Sequence, residues 1–394
     1  MTDIRPKVLF FVEGFTDIRF VVGLSQIADL TLCVPAEAFA SSGLRDRVAT
    51  SGASLRVVEI PGSRLAFQVR TLPWLWRHAR EFDAIVSQEV LRGSVNATLV
   101  GRLRRVPVIT YMGIAPVEYF RCRRERGLIG PVEAAIGELA IRAMMTVNGR
   151  LASRCLAMGP YLRDIALGYC PRSLVGLYYG VDTAFFRPAD ADERRRLRET
   201  RDLPADRFLI FLSSRISHEK DPETVLRATA IARARGLDAV VLNLGGGYEE
   251  FIELAGRLGL ADASTWVLGR PAAHPMIDVA DYFRCADVMA LASLAEGAAF
   301  STLEALACGT PVVATAVGGM AVQLAGVAQL PPRRDPEAMA DAFLWIAEHP
   351  GEARAQAMAG REFVLREWSR DKAFADLARV IDEVSGRRPA AEAA

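Results

Sequence analysis

Residues 287–315, DVMALASLAEGAAFSTLEALACGTPVVAT, decide the fold. Residues 287–291 are an apolar run that reads as a buried strand. Residues 301–308 have helical spacing. Gly309 and Pro311 end that helix and launch a second apolar run, 311–315. Strand, helix and strand in this order form one crossover unit of a parallel sheet. Strands apolar on both faces predict a sheet covered on both sides. The uncharged stretch Ala305–Pro332 is long enough to imitate a membrane span. Gly309, Pro311, Gly318, Gly319 and Gly326 break it into helix, turn, strand and loop.

The same alternation extends in both directions. Strands are expected at 7–12, 30–34, 55–59, 83–87 and 106–110, and again at 207–212, 239–244, 265–268, 287–291 and 311–315. Helices are expected at 222–235, 249–259 and 301–308. Two sets of strands predict two doubly wound α/β domains. The first spans 1–185 and the second 186–368. Residues 369–394 are a helix returning to the first domain, with a frayed tail. The charged run Asp192–Glu199 reads as a solvated linker helix. Asp190-Ala-Asp192 within it resembles a metal-binding DxD, but its place in the linker favours helix capping or plain solubility.

Composition narrows the classes. The chain has 394 residues, 51% of them hydrophobic and 24% charged, with a net charge of +1. That balance argues against a general nucleic-acid binder. Residues 1–185 carry about +7 and the rest about −6, which predicts different partners for the two halves. Only Lys7, Lys220 and Lys372 are lysines, so a lysine inside a motif stands out. Six cysteines form no CxxC, and the four histidines form no ligand spacing. The expectation is reduced thiols, no metal, no cofactor and a cytoplasmic location.

In doubly wound folds the chemistry lies in loops after strands. Glu296-Gly-Ala-Ala-Phe-Ser-Thr-Leu-Glu304 follows the strand 287–291. Gly297, Ala298 and Ala299 let backbone N–H groups approach a ligand. Ser301 or Thr302 begins a helix whose N-terminus favours phosphate. Glu304, one turn in, can reach a ribose diol, and Glu296 can accept bonds from sugar hydroxyls. Ser213-Ser-Arg215-Ile-Ser-His-Glu-Lys220-Asp-Pro222 follows the strand 207–212. Arg215 and Lys220 there can neutralise a diphosphate leaving group.

Two glutamates separated by seven residues, followed by Ala-Cys-Gly-Thr-Pro-Val-Val-Ala-Thr, resemble the signature of retaining family-4 glycosyltransferases of GT-B fold. The resemblance implies two Rossmann-like domains facing a cleft. It implies transfer of a sugar from a UDP- or GDP-sugar to a hydroxyl acceptor with retention, without a metal. It assigns Arg215, Lys220 and Glu296 to catalysis. Donor binding falls to Gly14, Gly245, Gly246, Leu268, Gly269, Gly297, Ala298, Ala299, Phe300, Ser301 and Glu304. The family pattern R…E-K-G has Asp221 here in place of its glycine. Tyr179-Gly180-Val181-Asp182 resembles the family's passage at the domain junction.

The first domain is expected to bind the acceptor through Glu13, Glu89, Tyr111 and Met112. Met112 stands where many members carry a histidine, and the first loop, Glu13-Gly14-Phe15-Thr16, has one glycine where many have two. The cluster Arg121–Arg126 and the mixture of Arg64, Phe67, Arg70, Trp74, Trp76, Arg77 and Arg80 fit peripheral contact with an anionic membrane. A lipid-linked acceptor at its inner face and a role in surface polysaccharide or glycolipid synthesis follow from the resemblance. Two alternatives share the fold: a nucleotide-sugar epimerase and a non-catalytic partner subunit.

Overall fold

Every strand among the described residues pairs in parallel. A computed structural model describes residues 5–14, 16–270 and 278–387. The tail expected to fray, Phe15 and His274 lie outside the described residues. The described chain forms two units by contact. The first comprises the residues up to Phe120, Pro131–Gly180, and those from Asp371 on. The second comprises Arg121–Gly130 and Val181–Arg370.

The first unit holds seven strands: β1 (Lys7–Phe11), β2 (Asp29–Pro35), β3 (Leu55–Ile60), β4 (Ala84–Ser87), β5 (Val108–Met112), β6 (Arg154–Ala157) and β7 (Ser173–Val175). Their order is β3-β2-β1-β4-β5-β6-β7. β6 and β7 exceed the five runs expected from sequence. They are only four and three residues long, RCLA and SLV, too short and mixed to stand out as apolar runs. Val8, Leu9, Phe10 and Phe11 of β1 are all buried. Such side chains point alternately to both faces, so helices must cover both. Leu9 and Phe11 join Phe67 and Leu75 of helix Arg64–His78 in one cluster. Helix Arg370–Ser385 packs into the same unit: a Cβ at Gly23 would overlap the Phe374 ring.

The second unit holds β8 (Phe208–Leu212), β9 (Ala239–Leu244), β10 (Val267–Arg270), β11 (Val288–Leu291) and β12 (Val312–Ala314), ordered β10-β9-β8-β11-β12. These match the five expected runs within two residues. Ile210, Val241, Val288 and Val313 converge with Val225, Phe251 and Phe343 from the flanking helices in one buried cluster. Asp190 caps the linker helix Ala191–Thr200, its carboxylate accepting from Glu193 N.

Candidate active site

Both sheets reverse their winding once, and carboxyl-end loops gather at each reversal. In the second unit the reversal lies between β8 and β11. The loop after β8 carries Arg215 and Lys220, and the loop after β11 carries Glu296. Lys220 Nζ donates to Glu296 Oε1, which also accepts from Ser293 Oγ at 2.9 Å. Leu294 N donates to Glu219 O at 2.8 Å, tying the two loops together. From β9, the fully buried Asn243 donates to Leu212 O and Ser214 O at 3.0 Å each. Sequence reasoning missed Asn243, which bridges strands 29 residues or more apart.

Three polar atoms around this loop, Ser214 Oγ, Ser217 Oγ and Asn243 Oδ1, are buried without a hydrogen-bond partner. Each such orphan costs about 1–3 kcal/mol unless something satisfies it. Arg215 lies on the same loop, is largely exposed, and sits 3.5 Å from Glu219.

Helix Phe300–Ala307 starts one residue earlier than expected, with Ala299 at its N-cap and no side chain capping it. Neither Ser301 nor Thr302 opens it, because the Thr302 hydroxyl instead donates to Ala299 O at 2.7 Å. Glu304 is buried on this helix. Phe300 meets Trp368 edge-on. Gly319 N donates to Glu296 O at 2.9 Å, and a Cβ at Gly319 would overlap the Gly297 carbonyl. The turn after β9 needs glycine in two places, Gly245 (φ 118°) and Gly247 (φ 87°). Gly246 between them faces open space. On β10, beside Leu268, a Cβ at Gly269 would lie 2.8 Å from Tyr248 O.

The first unit repeats the arrangement between β1 and β4. The loop after β1 carries Glu13 and Gly14, and the loop after β4 carries Glu89. They line a cavity of about 460 Å³ together with Arg64, Gln88 and Arg92. Arg92 donates to Glu13 through Nε, at 3.0 Å, and through Nη2. Burial pushes the Glu89 carboxyl up to about 7, helped by the neighbouring Glu13 charge and opposed by a bond from Gly93 N–H. A Cβ at Gly93 would overlap Glu89 Oε1, so a larger residue there has to displace the Glu89 or Glu13 side chain. The buried Asn148 fixes this loop by donating to Val90 O at 2.9 Å and Leu91 O at 2.8 Å. Arg92, Gly93 and Asn148 carried no signal in the sequence.

Two sequence assignments are corrected. Tyr111 and Met112 are not loop residues, because β5 runs on to Met112. Each is 2% exposed. The Tyr111 ring packs against Phe20 and Tyr178, and burial holds its hydroxyl well above the ordinary range. Met112 lies in an apolar cluster with Val90, Ala115 and Met145. Both are interior residues. In the mixed segment, Phe67 is likewise buried and Trp74 packs against the core, while Trp76 is 49% exposed.

All six cysteines are buried, and burial pushes the Cys155 and Cys285 thiols up to about 11. Among the described residues, no group of three or more His, Cys, Asp or Glu is placed to hold a metal. No described helix is long and apolar enough to cross a membrane.

The model for glycosyl transferases group 1 matches residues 193–363. D-inositol 3-phosphate glycosyltransferase 1 of Catenulispora acidiphila is 32% identical over 291 residues, covering 70% of this chain and 66% of that protein. The D-inositol 3-phosphate glycosyltransferase of Xylanimonas cellulosilytica is 35% identical over 54% of this chain, which spans 51% of its length. The chain therefore spans less than two thirds of either relative. That of Kineococcus radiotolerans is 30% identical over 345 residues, 82% of this chain and 76% of its own. The crystal structure of Anabaena Alr3699/HepE in complex with UDP superposes with a TM-score of 0.76 at 16% identity, over 96% of this chain and 100% of that one. That likeness, repeated in the lipopolysaccharide glycosyltransferase WaaG at a TM-score of 0.69, establishes the GT-B fold.

Proposed function

We propose, from the premise that this chain belongs to the glycosyl transferases group 1 family, that it transfers a sugar from a UDP- or GDP-sugar to a hydroxyl acceptor with retention of configuration. The observation that carries this reading is the convergence of Lys220 and Glu296 at the sheet reversal of the second unit, among buried polar atoms lacking partners. Breaking the donor bond develops negative charge on the diphosphate and positive charge on the sugar. Lys220 and Arg215 offset the first, with help from the N-terminus of helix Phe300–Ala307. Glu296, released from Lys220 as the diphosphate takes the ammonium, turns to the sugar hydroxyls. Glu304 holds the ribose. With that much fixed positive charge, the reaction does not call for a divalent ion.

The acceptor belongs to the first unit, in the cavity between Glu13, Glu89 and Arg92. Two carboxyl groups beside Arg64 and Gln88 suit a polyhydroxylated molecule. Inositol 3-phosphate, in the names of the relatives, is of this kind. Assembly of surface polysaccharide or glycolipid is in keeping with such an acceptor. Leu65, Val69, Leu72 and Trp76 form an exposed apolar stripe, and Leu99 and Leu103 are exposed on helix Arg92–Arg104, which packs against the same helix. Arg70, Arg77, Arg80, Arg102 and Arg104 flank these side chains, and the Arg104 guanidinium lies 5.0 Å from the Trp76 ring. Apolar surface bordered by cations is complementary to an anionic lipid surface, which is the partner we assign to it.

The test is turnover of a panel of UDP- and GDP-sugars by the purified protein with EDTA present. Slow nucleotide release from one donor is expected, and Lys220→Ala and Glu304→Ala should each lower it about 100-fold or more. Near-wild-type rates in both variants would sink the site assignment. A changed sugar still joined to its nucleotide would identify an epimerase instead.

A further inference from the structure

The carboxylate beside Lys220 is out of place for a loop that holds a diphosphate. Asp221 is 3% exposed and adopts φ 45°, ψ 57°, a left-handed conformation that glycine takes freely and aspartate takes at a cost. It stands at the N-cap of helix Pro222–Ala234, yet its side chain caps no backbone N–H there. Helix capping therefore does not explain it. Its oxygens are taken by two other groups. Arg126 Nη2 donates to Oδ1 at 2.6 Å, and Thr224 Oγ1 donates to Oδ2 at 2.7 Å. Arg126 lies on the ten-residue segment Arg121–Gly130, which belongs by contact to the second unit. A second ion pair anchors that segment, Arg333 to Glu125 at 3.2 Å. A buried carboxylate is costly without a partner, and one next to Lys220 would also repel an incoming anion.

We propose that Arg126 is a positioning residue for the donor: by pairing with Asp221 it cancels the negative charge beside Lys220 and holds the loop in the conformation that presents the ammonium. This rests on the reading of Lys220 as the group that receives the donor diphosphate. The Arg121–Arg126 cluster then has a role inside the protein, through its last member, that composition alone assigned to a membrane. The pair also accounts for an aspartate where the family pattern has glycine. Glycine fits the backbone angles; aspartate fits them less well and requires a cation.

The experiment is a double-mutant cycle on the whole chain, read by UDP and GDP binding and by donor and acceptor KM. Arg126→Ala should weaken nucleotide binding and raise donor KM about tenfold or more, with acceptor KM unchanged. Asp221→Gly alone should stay within about threefold of wild type. The double variant should recover to the same range, because it removes the stranded carboxylate and supplies the residue suited to the backbone. Arg126→Lys, which keeps the charge without the fork, should fall between and serves where Arg126→Ala does not fold. Unchanged donor affinity in Arg126→Ala, or a double variant as weak as the single, overturns the inference. A wild-type protein that binds neither nucleotide overturns the donor reading itself, and the inference with it.

Discussion

Glu89 shows how a single residue couples pH to the fold. In the folded chain it keeps its proton to about pH 7, whereas an ordinary glutamate loses it near 4.5. Between those values the folded state binds more protons, so stability falls as pH rises through that window. The difference corresponds to at most about 3 kcal/mol, fully present above about pH 7. Glu89→Gln should therefore melt a few degrees higher than wild type at about pH 8 and no higher at about pH 4. An equal shift at both pH values would show that burial and the Glu13 charge are not the cause. Gly93→Ala is the steric counterpart. Its methyl must displace Glu89 or the backbone, and a loss of about 1–3 kcal/mol is expected in chemical denaturation. Lys220 and Glu296 were legible in the sequence because a rare lysine and a glutamate each follow an apolar strand. Arg92 and Asn148 were not, since their partners Glu13 and Leu91 lie 79 and 57 residues away. Only the folded sheet brings such groups together.

At the scale of elements, the sequence was read most accurately where strands are long and wholly apolar. β9 falls on its expected residues, 239–244. It failed for β6 and β7, and it ended β5 two residues early, which put Tyr111 and Met112 in a loop. Both errors arise because a short strand is defined by its neighbours and not by its own composition. The cap at Asp190 was legible, because an Asp before a charged helix has a local role. Asp190→Ala should cost about 1 kcal/mol, seen as a lower melting temperature. The helix Arg64–His78 offers a different test. Its buried side carries Phe67 and Leu75, and its exposed side Leu65, Val69, Leu72 and Trp76. Replacing Leu65 and Trp76 by serine should leave melting within about 0.5 kcal/mol of wild type, as at exposed positions. The same change should lower co-sedimentation with vesicles containing anionic lipid. Equal binding of both proteins to those vesicles would remove the membrane assignment.

At the scale of the whole molecule, the chain does not divide into two halves. It leaves the first unit after Phe120, returns at Pro131, leaves again after Gly180 and returns at Asp371. The last return brings Phe374, Leu377, Val380 and Ile381 into the interior of the first unit. Phe374→Ala should cost about 3–5 kcal/mol, checked by urea unfolding, since the ring lies against Gly23 where no other side chain fits.

The excursion at 121–130 bears on modularity. A natural cut at residue 181 looks suitable for exchanging the second unit between relatives, yet it separates Arg126 from Asp221. A chimera that imports a glycine at position 221 leaves Arg126, three-quarters buried, facing no carboxylate, which donor binding should tolerate as it does in Asp221→Gly. One that imports the aspartate without residues 121–130 strands a buried carboxylate beside Lys220, the harmful state of Arg126→Ala. The transplantable module is therefore discontinuous, and recombination in this chain has to carry ten residues from the first half along with the second.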